Sequence, residues 1–157
     1  MKKRLLYKNF FNFIVFFIFA FLIFLFIKNQ IQIKRDDPTV VIKNSPINVT
    51  LAKSYEETQR GLSGRVSLGQ NDGMLFIFEK PAKYSFWMPD MHFPIDIIWI
   101  ENNVIADIDE NVSNDFDPKK PVFYIPSKPV KYVLEVNAGF AKNHNINIGD
   151  QVIFENL

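Results

Sequence analysis

The run Trp87-Met88-Pro89-Asp90-Met91-His92-Phe93-Pro94-Ile95-Asp96 gathers two carboxylates, an imidazole and an indole around two prolines that stiffen the backbone. Asp96 stands at the start of the apolar stretch IDIIWI. In a strand, side chains alternate faces, so Asp96 shares a face with Ile98 and Ile100. A carboxylate among such neighbours needs strong hydrogen-bond donors or a ligand. Two readings are open. In one, Asp90, His92 and Asp96 form a ligand-binding or acid–base site with Trp87 as an apolar or sugar-stacking wall. Asp96→Asn is then expected to keep the fold and abolish binding. In the other, Asp96 accepts hydrogen bonds from backbone N–H groups of the proline-rich loop, and His92 faces solvent.

Other charged residues offer partners. Arg65 follows Gly64, and Arg60 lies a little earlier. Either can pair with a buried acid such as Glu135 or Asp96, or grip an anionic ligand; for Arg60 a solvated charge is the ordinary role. Glu79 ends the stretch GMLFIF, and Glu135 lies within an apolar stretch on the same face as Val133. Glu79 and Asp96 are candidates for a glycoside-hydrolysing pair, which needs carboxyls roughly 5–9.5 Å apart, with Glu135 as a further candidate acid. Structural salt bridges are the commoner use of such acids.

Several chemistries are argued down. The chain has no cysteine, which removes disulfides, thiolate catalysis, Cys-ligated metals and a lipoprotein anchor. It holds no Gly-x-Ser-x-Gly elbow and no phosphate loop. The two histidines, His92 and His144, lack ligand-spaced partners, so no zinc site is expected. The acidic run from Asp107 to Asp117 has Val112 and Pro118 where a calcium loop needs Gly and Glu, and reads as a solvated loop. No metal and no cofactor is expected.

The elements that must position these residues follow from pattern. Residues 39–43 and 47–52 read as strands around the turn Asn44-Ser45-Pro46. Ser54 and Glu57 form a capping box for a helix from Tyr55 to about Leu62, ended by Gly64. Residues 73–78 and 84–88 read as strands. Residues 95–100 and 104–108 read as a hairpin around Glu101-Asn102-Asn103. Residues 109–121 read as a loop, 122–125 and 130–136 as strands, 138–144 as a helix capped by Asn137 and ended by Asn145, and 151–154 as a last strand. Many short strands with two short helices predict a compact α+β domain on a mostly antiparallel, barrel-like sheet.

Ahead of this domain the composition changes. Residues 10–27 are apolar except for Asn12, and a helix of that length rises roughly 27 Å, near the hydrocarbon thickness of a bilayer. Residues 1–35 carry seven Lys or Arg and no acid. The densest cations, Lys2, Lys3, Arg4 and Lys8, precede the run, which predicts a cytoplasmic N-terminus and an extracytoplasmic C-terminal domain. No Ala-x-Ala pattern follows the run, so an uncleaved anchor is favoured over a cleaved signal peptide. The expected organisation is a basic N-terminus at 1–9, a transmembrane anchor at 10–27 partnered by lipid, a linker at 28–38 and the domain at 39–157. Residues 36–157 hold eleven basic and seventeen acidic residues, a charge of −6 without a basic stripe, which argues against nucleic-acid binding.

Four motifs occur in order: Gly61-Leu62-Ser63-Gly64-Arg65; Gly73-Met74-Leu75-Phe76-x-Phe78; Phe86-Trp87-Met88-x-Asp90-Met91-x-x-Pro94-Ile95-Asp96; and Val133-Leu134-Glu135-Val136-x-Ala138-Gly139. Together they resemble the family called domain of unknown function 192, over roughly residues 45–155. The third motif is the specific one. Ser63 and Pro89 stand where Met and Lys are common in that family. The resemblance implies a secreted or membrane-tethered domain and leaves the activity open.

The function expected on these grounds is a membrane-anchored binding or accessory module of the cell envelope. Its pocket would be bounded by Arg65, Trp87, Asp90, His92 and Asp96, and its ligand a small saccharide or envelope fragment. The alternatives are a carboxylate-dependent envelope hydrolase and a structural protein-interaction domain, the last marked by an exposed apolar patch.

Overall fold

The computed structural model describes residues 13–28 and 37–157. The chain forms two units, Met1–Asp37 and Pro38–Leu157. In the first, residues 13–28 form a helix, α1, whose large apolar side chains are exposed. Among the described residues no helix is long and apolar enough to cross a membrane. Residues 10–12 of the expected span lie outside the described residues.

The second unit contains β1 (Thr39–Ile42), β2 (Ser45–Ala52), α2 (Tyr55–Arg60), β3 (Asp72–Ala82), β4 (Ile95–Glu101), β5 (Val104–Val112), β6 (Val130–Asn137), α3 (Phe140–Asn143) and β7 (Val152–Glu155). The strands form one sheet in the order β5-β4-β6-β3-β2-β1-β7. All neighbours are antiparallel except β2 and β3. A parallel pair needs a crossover, and the stretch containing α2 supplies it. A bridge between Val104 and Gln151 joins the start of β5 to the residue before β7, so the sheet curls into a half-barrel. The predicted α+β class and mostly antiparallel, barrel-like sheet agree with this architecture.

Two-residue turns close both predicted hairpins. Lys43 and Asn44, then Asn102 and Asn103, all adopt positive φ, as a type I′ turn demands. The first turn therefore sits one residue before the predicted Asn44-Ser45-Pro46. The central strands β3, β4 and β6 are covered on both faces. Leu75, Ile98, Leu134 and Val136 belong to one core cluster, with Phe140 and Ala141 of α3. Met74, Phe76, Ile97, Trp99 and Val133 belong to the other, with Leu62, Met88 and Met91. That double burial explains why IDIIWI lacks polar alternation.

Some local expectations are corrected. Residues 84–88 and 122–125 are not strands; they meet at a single bridge between Phe86 and Tyr124. Strand β5 runs on to Val112 through part of the predicted loop. Helix α2 stops at Arg60, with Gly61 rather than Gly64 as its C-cap. Helix α3 begins at Phe140 behind Gly139 in the left-handed region, not behind an Asn137 cap, because Asn137 is still paired in β6 and directs its amide to the Gly69 carbonyl.

Candidate functional site

The capping box forms as expected: Ser54 Oγ accepts from the Glu57 N–H, and the Glu57 carboxylate accepts from the Ser54 N–H. It fixes where α2 begins. The helix ends at Gly61, whose φ of 51° suits glycine. A β-carbon at Gly61 would also lie 3.2 Å from Phe76 Cζ and 3.9 Å from Glu135 Oε2. The helix end is thus laid directly over a carboxylate.

The segment after α2 is tied to the loop after Trp87. Ser63 Oγ donates to the Pro89 carbonyl at 2.8 Å, and the Gly64 N–H donates to the Asp90 carbonyl at 2.9 Å. Leu62 anchors the same turn in the core. The first and third sequence motifs therefore form one wall. Together with Phe76 and Phe78 of β3 it bounds a hollow of about 120 Å³ that Tyr84, Phe86, Trp87 and Glu135 also line. A second hollow is lined by Glu57, Arg60 and Arg65, and shares Arg60, Gly61 and Ser63 with the first.

Glu135 is the chemical focus. It sits mid-strand in β6, paired with Met74 of β3 and Ile97 of β4. Its relative exposure is 6 %, and Oε2 has no hydrogen-bond partner among the described residues. Burial pushes its carboxyl up to about 8, against the opposing pull of the Arg65 guanidinium. An acid in this state can give up a proton or accept a donor near neutral pH, which an ordinary surface carboxylate cannot do.

Asp96 is used differently. It is fully buried, and accepts from the N–H groups of Asn111 (2.8 Å), Gly139 (3.0 Å) and Ala141 (2.9 Å). Its donors come from β5 and the start of α3, not from the proline-rich loop. It therefore pins α3 to the sheet and has no open side for a ligand. Asp90 and His92 face solvent, 70 % and 52 % exposed, with Asp90 Oδ1 3.7 Å from His92 Nε2. Trp87 is half-exposed, lines the hollow, and stacks on Phe123. Of the five residues expected to bound the pocket, Trp87 lines the first hollow and Arg65 the second. Asp90 contributes its backbone, while His92 and Asp96 lie outside both.

The hydrolase pair is corrected too. Glu79 is exposed toward the end of β3, and Asp96 is sealed beneath α3, so the two do not present carboxyls to a common substrate. Glu135 is the one acidic residue lining the first hollow. The sequence offers Glu135 as a buried partner for Arg60 or Arg65 or as a further candidate acid, and does not single out Phe76, Phe78, Tyr84 and Phe86 as lining. The usable signal was an acid inside an apolar strand in one motif, opposite a glycine-rich turn in another. Among the described residues no cluster of three or more His, Cys, Asp or Glu is placed to hold a metal.

Residues 39–154 match the family model DUF192, described as Uncharacterized ACR. A crystal structure of a protein of unknown function from Novosphingobium aromaticivorans DSM 12444 is 30 % identical, with a TM-score of 0.66 over 74 % of this chain and 83 % of that one. One from Sinorhizobium meliloti 1021, proposed as a transcription regulator, is 27 % identical, with a TM-score of 0.67 over 76 % of this chain and 93 % of that one. No curated protein matches.

Proposed function

The chain belongs to the uncharacterised DUF192 family over residues 39–154, and from that premise we propose that its folded domain is a small-ligand-binding module tethered to the outer face of a membrane. One observation carries the binding half of this reading: Glu135, whose buried Oε2 lacks a partner among the described residues, lines an aromatic hollow. A buried carboxyl left unsatisfied costs on the order of a few kcal/mol, and a ligand that bonds to it recovers that cost. The absence of a second acid from the lining favours binding over carboxylate-pair hydrolysis.

The tether rests on residues 10–27, apolar but for Asn12, and on the denser cations before them. The exposed apolar side chains of α1 support it, because such a surface belongs in lipid. The N-terminus is then cytoplasmic and the domain extracytoplasmic. The regulator role proposed for the Sinorhizobium relative is not carried over, since a −6 domain without a basic stripe repels a phosphate backbone.

A second reading has its own observation. Val122, Phe123 and Ile125 are exposed, and Trp87 stacks on Phe123. This is the apolar patch that a protein-interaction domain would use.

A thermal-shift screen of sugars, amines and small acids against the domain and its Glu135→Gln variant tests the binding reading. A ligand that stabilises the first and not the second supports it. Equal stabilisation of both removes Glu135 from the site. Protease added to intact cells tests the topology: cleavage of the C-terminal domain is expected, and protection until lysis reverses the orientation.

A further inference from the structure

We propose that the hollow over Glu135 recognises a small organic cation bearing N–H donors, a primary ammonium group, seated between the Glu135 carboxylate and the surrounding aromatic side chains. This rests on the reading of the hollow as a binding site and adds the class of ligand to it.

Three features of the lining agree. First, Glu135 lines the hollow, and its Oε2 is buried without a hydrogen-bond partner among the described residues. Protonated, the carboxyl can donate as well as accept; once ionised it only accepts, and a cation with N–H donors completes that form. Second, five aromatic side chains line the same small space: Phe76, Phe78, Tyr84, Phe86 and Trp87. Aromatic rings attract cations through their quadrupole, most strongly where water is excluded, and offer an anion nothing comparable. Third, β3 and β4 flank Glu135 with Met74 and Ile97, which supply no counter-charge. The carboxyl is therefore only weakly compensated in the free protein.

The charged and titratable groups around the site fix how binding depends on pH. Arg60 of α2 and Tyr84 line the hollow, while Arg65 and Glu57 line its neighbour. The Arg65 guanidinium favours the ionised form of Glu135, but burial outweighs it and keeps the carboxyl protonated at neutral pH. A cation binds the ionised form, so its arrival releases the Glu135 proton to solvent. Affinity therefore rises with pH and levels off above about 8, where Glu135 is already ionised in the free protein. A neutral hydroxyl ligand accepts from the protonated carboxyl instead, and shows the opposite trend or none.

The test uses benzylammonium, benzyl alcohol and benzoate, which share a ring and differ in charge, titrated calorimetrically into the whole domain. Benzylammonium is expected to bind, about tenfold tighter at pH 7 than at pH 6, with proton release. Glu135→Gln should weaken it at least tenfold, while Arg60→Ala, which removes a like charge from the lining, should tighten it. Gln is close to isosteric with Glu, and near-UV circular dichroism of the variant checks its fold. If benzyl alcohol or benzoate binds and benzylammonium does not, the hollow remains a binding site and the cation assignment falls. Benzylammonium binding that ignores pH, or survives Glu135→Gln, also overturns the assignment. If none of the three binds at either pH, the cation assignment and the binding-site reading both fall.

Discussion

Asp96 and Glu135 lie on adjacent strands, in neighbouring register pairs, and point to opposite faces of the sheet. Asp96 pairs with Val136, and Ile97 pairs with Glu135. One carboxylate is saturated by three backbone N–H groups beneath α3, and the other has a buried oxygen without a partner among the described residues. The sheet thus separates a structural acid from the one proposed to bind a ligand.

Asp96→Asn should destabilise the domain by about 3 kcal/mol, because the amide brings an NH2 group to face backbone donors. Urea denaturation measures this. The same variant should still bind any ligand of the hollow. The structure thereby reverses the expectation that this substitution spares the fold and abolishes binding, since Asp96 lies outside the hollow.

Glu135 makes stability depend on pH. Its folded carboxyl is raised from 4.5 to about 8, so between those values the folded state holds a proton that the unfolded state has lost. The contribution is fully present below pH 4.5 and is lost as pH rises through 8. The loss amounts to on the order of a few kcal/mol. Unfolding free energies at pH 6 and 9 should show the decline, and Glu135→Gln should flatten it. A decline of equal size in the variant would assign it to other groups.

Gly61→Ala should cost about 2 kcal/mol, since its φ is positive and the added carbon crowds Phe76. The same carbon intrudes toward Glu135 Oε2, so probe affinity should fall together with the melting temperature.

Ser63→Ala removes the hydroxyl that holds the Pro89 carbonyl. A loss of about 1 kcal/mol is expected. Amide hydrogen exchange at Gly64, whose N–H bonds to the Asp90 carbonyl beside it, should quicken while β6 amides keep their protection.

How much was legible in the sequence depended on the range of the forces involved. Asn102-Asn103 and the Ser54–Glu57 box act over a few residues, and both gave the right turn and helix start. Residues 84–88 and 122–125 read as strands because aromatic-rich runs resemble them, whereas Tyr84, Phe86 and Trp87 line a hollow. The role of Asp96 was set by Gly139 and Ala141, far along the chain, and no local pattern reveals such donors. Glu135 was visible as an acid in an apolar strand. Its place in the lining of a hollow was not, because that depends on the Gly61 turn crossing above it.

The titration of the Glu135 side-chain carboxyl carbon, followed by NMR with and without benzylammonium, tests the central claim most directly. A midpoint near 8 in the free domain that moves down when the cation is bound is the expected result. A midpoint in the ordinary carboxylate range, or one that the cation leaves in place, would contradict it.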